Sequence, residues 1–134
     1  MNTDARAVAT QIYRIFDIGD VAALDDVLAP ELVDHNPIPG TSSGVEGMRL
    51  LVAAVRDAFT ATRHEVLHLT EAGEGWIVGH WRMTGIHTGQ WLGTPATGRP
   101  VSFTGTDLMR VVDGKVVELR HVEELFQLHQ QITA

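Results

Sequence analysis

The sequence predicts an α+β fold, with three N-terminal helices packed on the concave face of a curved antiparallel sheet. Three observations carry the prediction. Apolar residues recur at helical spacing through about residue 59, and from residue 63 onward they alternate as in strands. Asp113-Gly114 lies between two β-branched, alternating runs, the strongest short-range signal for a tight hairpin. The 134 residues are enough for a single domain, spanning 1–134, with a real core.

The first helix is expected from a cap at Asp4 to about Ile18, with Val8, Ile12, Ile15 and Phe16 on one face and Tyr13 beside that stripe. Gly19 ends it. Asp20 caps a second, short helix that turns Ala23, Leu24, Val27 and Leu28 inward and stops at Pro30. Residues Glu31 to Pro37 are extended and run into a turn-rich loop that reaches Ser43. Ser43-Gly44-Val45-Glu46 has the form of a capping box and opens a third helix to about Phe59. Its buried side is Met48, Leu51, Val52, Val55 and Phe59.

The strands follow. Arg63 to Glu71 alternates, Gly73-Glu74-Gly75 turns, and Trp76 to Gly85 forms the second strand. Residues Ile86 to Pro100, rich in Gly, Thr and Pro with Trp91 and Leu92 at their middle, form a loop long enough to be functional or a lid. The Asp113-Gly114 hairpin then occupies the stretch from Val101 to Gln131. Helices over one face of such a sheet form a half-open cone with room for an apolar ligand.

Composition narrows the function. The charge of −7 argues against a nucleic-acid partner, which needs clustered Lys and Arg. With no cysteine there is no disulfide frame, thiol nucleophile or thiolate metal site. No apolar run approaches a bilayer span, and Met1-Asn2-Thr3-Asp4 lacks a basic leader, so the expectation is a cytoplasmic protein without a membrane partner. Its ligand is expected to be a small, apolar molecule. No phosphate loop, dinucleotide fingerprint or serine elbow is present. No metal is expected: His64 and His68 should share a strand face about 13 Å apart, too far for one ion.

What remains is acid/base chemistry in an apolar cavity, where burial raises a carboxyl's pKa toward neutrality. If Val112 faces Lys115 across the turn, Asp107 faces Arg120 and Phe103 faces Glu124, so the acids and the guanidinium share a face with Met109. Leu119, His121 and Glu123 belong to the opposite face. Both faces are mixed, and parity alone does not say which one is the cavity wall. Glu124 is the leading candidate for the acid/base group. His35, His80 and His87 are candidates to position a carbonyl or return a proton, and Asn36, Trp81, Trp91, Phe103 and Met109 are candidate substrate contacts.

A series of short motifs runs in order along nearly the whole chain. These are Tyr13, Ile18-Gly19-Asp20, Asp34-His35-Asn36-Pro37, Gly44-Val45-Glu46-Gly47, Gly85-Ile86-His87-Thr88-Gly89, Pro95-Ala96-Thr97-Gly98-Arg99 and Asp113-Gly114-Lys115-Val116-Val117-Glu118. In this the chain resembles the SnoaL-like polyketide cyclases of the NTF2-like superfamily. The resemblance implies a cone-shaped α+β barrel and a cofactor-free intramolecular aldol cyclisation of a polyketide-like molecule. It also matches Glu124 to the family's late acid/base aspartate, places Tyr13 near the substrate, and selects the Asp107, Arg120, Glu124 face as the cavity wall. The chain departs from the family in having glutamate for aspartate, and Arg120 where tryptophan is common. An epoxide-opening hydrolase or cyclase built on Asp107, Arg120 and Glu124 is the alternative enzyme, and a non-catalytic ligand-binding or oligomeric scaffold is the third reading. Pairing through the outer sheet face would make a homodimer.

Overall fold

Four long antiparallel strands carry the fold: β2 (Phe59–Gly73), β3 (Trp76–His87), β4 (Pro100–Val112) and β5 (Lys115–Glu123). The computed structural model describes residues 5–133. A fifth strand, β1 (Leu28–Asp34), pairs parallel to β5, giving the order β1-β5-β4-β3-β2 in one unclosed sheet. Helices α1 (Ala5–Ile18) and α2 (Val45–Ala58), with a short 3-10 turn at Val21–Asp26, cover its concave face. A third helix, α3 (Leu125–Thr133), closes the chain. The class is the expected one. The sheet gains β1, and α3 lies where the sequence suggested only the tail of the hairpin. Among the described residues no helix is long and apolar enough to cross a membrane.

The helices form where their buried stripes dictate. Val8, Ile12, Tyr13 and Ile15 of α1, and Met48, Val52 and Val55 of α2, pack onto Ile77, Met83 and Met109 of the sheet. Leu128 and Ile132, one helical turn apart on α3, are as buried as any residue in the core. Gln131 fixes α3 to the edge of β4, its side chain accepting from Ser102 N at 2.8 Å and donating to Ser102 O at 2.7 Å. Asp20 caps the 3-10 turn by accepting from Ala23 N at 3.4 Å. The expected cap at Asp4 lies outside the described residues. The Ser43–Glu46 box does not form: Gly44 is the N-cap of α2, without a side-chain bond. Ser43 O is taken by Asp34 N at 2.6 Å, and Glu46 is drawn to Arg49 at 3.2 Å.

Two irregularities decide what faces inward. The Asp113-Gly114 turn forms as expected, with φ of 51° and 78°, both in the left-handed region of a tight two-residue hairpin loop. Val112 pairs with Lys115 and Val111 with Val116, but Arg110 pairs with Glu118. Val117 is therefore an extra residue, a β-bulge, and every later pair is offset by one. Asp107 lies opposite His121, and Arg120 lies opposite Leu108. A second shift in β2, between Val66 and His68, separates the two histidines expected on one face. His64 turns inward, whereas His68 is exposed and stacks on His80 with ring centroids 6.2 Å apart.

Candidate active site

Between helices and sheet lies a partly open cavity. Its walls are almost wholly apolar and aromatic, with Phe16, Trp81, Trp91 and Phe103 prominent. Most of its polar groups gather around Asp107 on β4. Tyr13 Oη donates to Asp107 Oδ2 at 2.9 Å, and Trp81 Nε1 donates to the same oxygen at 2.9 Å. Both donors converge on one oxygen, and among the described residues no hydrogen bond engages Oδ1.

Two glycines make this convergence possible. Gly79 lies directly across from Asp107, and Gly105 lies across from Trp81. A Cβ on Gly79 would stand 2.0 Å from Tyr13 Oη, and one on Gly105 would stand 2.2 Å from the Trp81 ring. Any larger residue would displace the donor beside it. The phenol and the indole thus occupy the space that side chains at these positions would fill.

Burial pushes the Asp107 carboxyl up to about 6. The bonds from Tyr13 and Trp81 oppose this, the nearby charge of Glu123 adds to it, and His121 opposes it. Asp107 therefore changes protonation state close to neutrality, as a group that must both take and return a proton should. Burial, and then the charge of Asp107, raise the Tyr13 phenol well above its ordinary range, which keeps it a hydrogen-bond donor.

Beside Asp107, His121 is clamped between two acids. Its Nε2 meets Asp34 Oδ2 at 2.9 Å and its Nδ1 meets Glu123 Oε2 at 2.6 Å. Burial alone would lower its pKa, but the two carboxylates prevail and raise it to about 10, so the ring is an imidazolium with both N–H groups engaged. Asn36 fixes the backbone of this residue, with Oδ1 accepting from His121 N at 3.0 Å and Nδ2 donating to His121 O. The Asp34-His35-Asn36 triplet thus ties β1 to β5. Asp107, His121 and Glu123 offer donor atoms within 4.8 Å of one another, a spacing that could hold a metal ion. His121 has no lone pair for a cation while its two N–H groups serve Asp34 and Glu123.

The residues singled out from the sequence divide sharply. Tyr13, Trp81, Trp91, Phe103, Met109 and Asp107 line the cavity. Asn36 does not, because its amide is spent on His121. Arg120 is exposed on the outer face, so the Asp107-Arg120-Glu124 cluster does not exist, and with it goes the basis for epoxide opening. Glu124 follows the end of β5 and binds Thr104, with Oε1 accepting from both N and Oγ1 at 2.7 Å. The Thr104 hydroxyl and then its backbone N–H hold this carboxyl below its usual range, and it faces a shallow outer groove. His35 pairs with Glu118 at 2.8 Å, away from the cavity. His80 points outward, its Nδ1 meeting Thr106 Oγ1 at 2.8 Å. His87 is fully buried at the root of the long loop, with Nδ1 on Thr97 Oγ1 at 2.9 Å and Nε2 sealed without a partner. The valine bulge exchanges the two faces of β5, bringing in His121 and Glu123 and turning Arg120 out. No periodicity marks it, because Val116 and Val117 are identical in pattern.

A curved, unclosed sheet covered by helices, with Asp107 and Glu123 at the polar end of an apolar cavity, is an architecture of the NTF2-like superfamily. The chain belongs to the SnoaL-like polyketide cyclases, whose family profile matches residues 6–132. It is 31% identical over 130 residues to the aklanonic acid methyl ester cyclase DnrD of Streptomyces peucetius, covering 90% of this chain and 87% of that one. It is 30% identical over 125 residues to the aklanonic acid methyl ester cyclase DauD of Streptomyces sp. (strain C5), covering 91% of this chain and 75% of the relative. The structure of TsrD from Streptomyces laurentii superposes with a TM-score of 0.85 at 28% identity over 99% of both chains.

Proposed function

We propose that this protein closes a ring in a polyketide-type small molecule by a cofactor-free, aldol-type reaction in which Asp107 moves the proton. The substrate class is the one the relatives are named for, an ester of the aklanonic acid methyl ester type. Asp107 takes the proton α to a carbonyl, and the C–H electron pair passes into an enolate. The enolate carbon attacks a second carbonyl within the same molecule and forms the new C–C bond. The resulting alkoxide recovers the proton from Asp107, so the product is an isomer of the substrate. Apolar walls keep water from quenching the enolate. Tyr13 and Trp81 hold the carboxylate in one orientation, and the charge of Glu123 makes it the stronger base.

The observation that carries this reading is a carboxyl poised near neutrality inside an apolar cavity, with two donors on one oxygen and, among the described residues, no hydrogen bond on the other. Trp81 and Trp91 line a partly open apolar cavity, which favours a ligand site over a scaffold. The test is turnover of aklanonic acid methyl ester, followed by chromatography and mass spectrometry. Asp107→Asn preserves the shape and both hydrogen bonds, and should lower the rate by about 10²–10⁴-fold, the usual worth of a general acid–base. A variant within threefold of wild type would remove Asp107 from the mechanism.

A further inference from the structure

Away from the Asp107 cluster, the cavity wall contains one further titratable side chain, His64 on β2. It is held from behind by Asp17, near the end of α1. Asp17 Oδ1 meets His64 Nδ1 at 2.6 Å, and Oδ2 accepts from the His64 backbone N–H at 3.0 Å. One carboxylate thus fixes both the main chain and the ring of a single residue. A carboxylate only accepts, so the proton of the neutral ring sits on Nδ1 and Nε2 presents a lone pair.

The surroundings fix where that lone pair points. The His64 side chain is 5% exposed. Its ring stacks on Tyr13 with centroids 6.2 Å apart, meets Trp81 edge-on at 4.9 Å and touches Phe16 at 5.7 Å. Among the described residues nothing hydrogen-bonds Nε2, yet this atom is not sealed, unlike Nε2 of His87. It opens where the ring lines the cavity. His64 pairs with Met83 on β3, whereas Asp107 pairs with Gly79 four residues earlier. At ~3.3 Å per residue and ~4.8 Å between strands, their Cα atoms are about 16 Å apart. The His64 ring meets the Asp107 cluster only through its aromatic neighbours Tyr13 and Trp81, both of which donate to Asp107.

We propose that His64, positioned by Asp17, is a second polar subsite that accepts a hydrogen bond from a hydroxyl on the aromatic part of the ligand. Tyr13, Phe16 and Trp81 supply flat surfaces beside it, so the group it reads is a phenol, and the ligand it selects is a hydroxylated, fused aromatic molecule. This inference rests on the cavity being the substrate site. It deepens that reading by assigning the specificity for ring hydroxyls to one dyad.

The test measures binding, so its outcome does not depend on whether Asp107 transfers the proton. The probes are 2-naphthol and its methyl ether, 2-methoxynaphthalene, titrated into the full chain at pH 8. Histidine ring ¹⁵N spectra report the state of Nε2. Wild type should prefer the phenol by about fivefold or more, the worth of one net hydrogen bond, and the His64 Nε2 resonance should move with the phenol alone. His64→Phe keeps the ring contacts and should bring the ratio close to one. Asp17→Asn leaves His64 in place but can donate to Nδ1, which puts the ring proton on Nε2, so it should also abolish the preference. A His64→Phe protein that still prefers the phenol, or a wild type that binds neither probe or binds both equally, would overturn the proposal.

Discussion

Gly79→Ala changes one hydrogen atom to a methyl group, and the structure predicts a measurable change in the acidity of a different residue. The new Cβ would stand 2.0 Å from Tyr13 Oη and 3.1 Å from Tyr13 Cζ. Ordinary contact begins near ~3.5 Å, so the hydroxyl must retreat by about 1.5 Å. That displacement stretches its 2.9 Å bond to Asp107 beyond hydrogen-bonding range. The lost bond lowered the Asp107 pKa, so its removal must raise it. A hydrogen bond to a charged group is worth about 1.5–3 kcal/mol, or about one to two pKa units. The acid limb of the pH–rate profile for ring closure should therefore move from near 6 to about 7–8. Tyr13→Phe should produce the same shift without a clash. In the Tyr13→Phe background, Gly79→Ala should add less than about a twofold change, because the atom it displaces is gone. The reasoning fails if the acid limb of Gly79→Ala stays at the wild-type position, or if the two substitutions shift it additively.

The remaining expectations concern the carboxylates and their supports. Asp107 has a folded-state pKa near 6 against an ordinary 3.8, so the native state is favoured by protonation and loses stability as pH rises through that window. Asp107→Asn should thus be more stable than wild type at pH 8, by at most about 3 kcal/mol, and equal to it below pH 3.8, as urea unfolding at the two pH values would show. Glu124→Gln should keep ring-closure activity within threefold of wild type, since Glu124 faces Thr104 and the outer groove, and a hundredfold loss in a steady-state assay would restore it to the mechanism. Asn36→Ala strips two bonds from the His121 backbone and should cost about 1–3 kcal/mol in denaturant unfolding. It should also lower kcat more than it raises KM, because it loosens the charged pair beside Asp107 and leaves the apolar walls intact.

The fold was legible in the sequence where one element could be read from its own residues. The stripe from Val8 to Ile15, the cap at Asp20 and the Asp113-Gly114 turn depend on local spacing and local chemistry, and each forms as that chemistry requires. The family resemblance carried the overall architecture further than periodicity could. What escaped depends on partners distant in sequence. The pairing of β1 with β5 joins segments about ninety residues apart, and nothing in Glu31 to Pro37 names its partner. The bulges at Val117 and Leu67, two of several in the sheet, are harder still: both residues continue the apolar pattern on either side, yet each reverses which face the following residues occupy. One extra valine turned Arg120 outward, brought His121 and Glu123 inward, and undid the alignment that pointed to Glu124. Gly79 and Gly105 were equally silent, because their role lies in the space they leave for Tyr13 and Trp81.

The central claim is that Asp107 takes the proton from the substrate carbon. Its most direct test is exchange of that proton in heavy water, observed by NMR on aklanonic acid methyl ester as a function of pH. Wild type should incorporate deuterium α to the reacting carbonyl with an acid limb near pH 6, and Asp107→Asn should show about a hundredfold less exchange with no limb at that pH. Equal exchange in the two proteins, with the same pH dependence, would contradict the account.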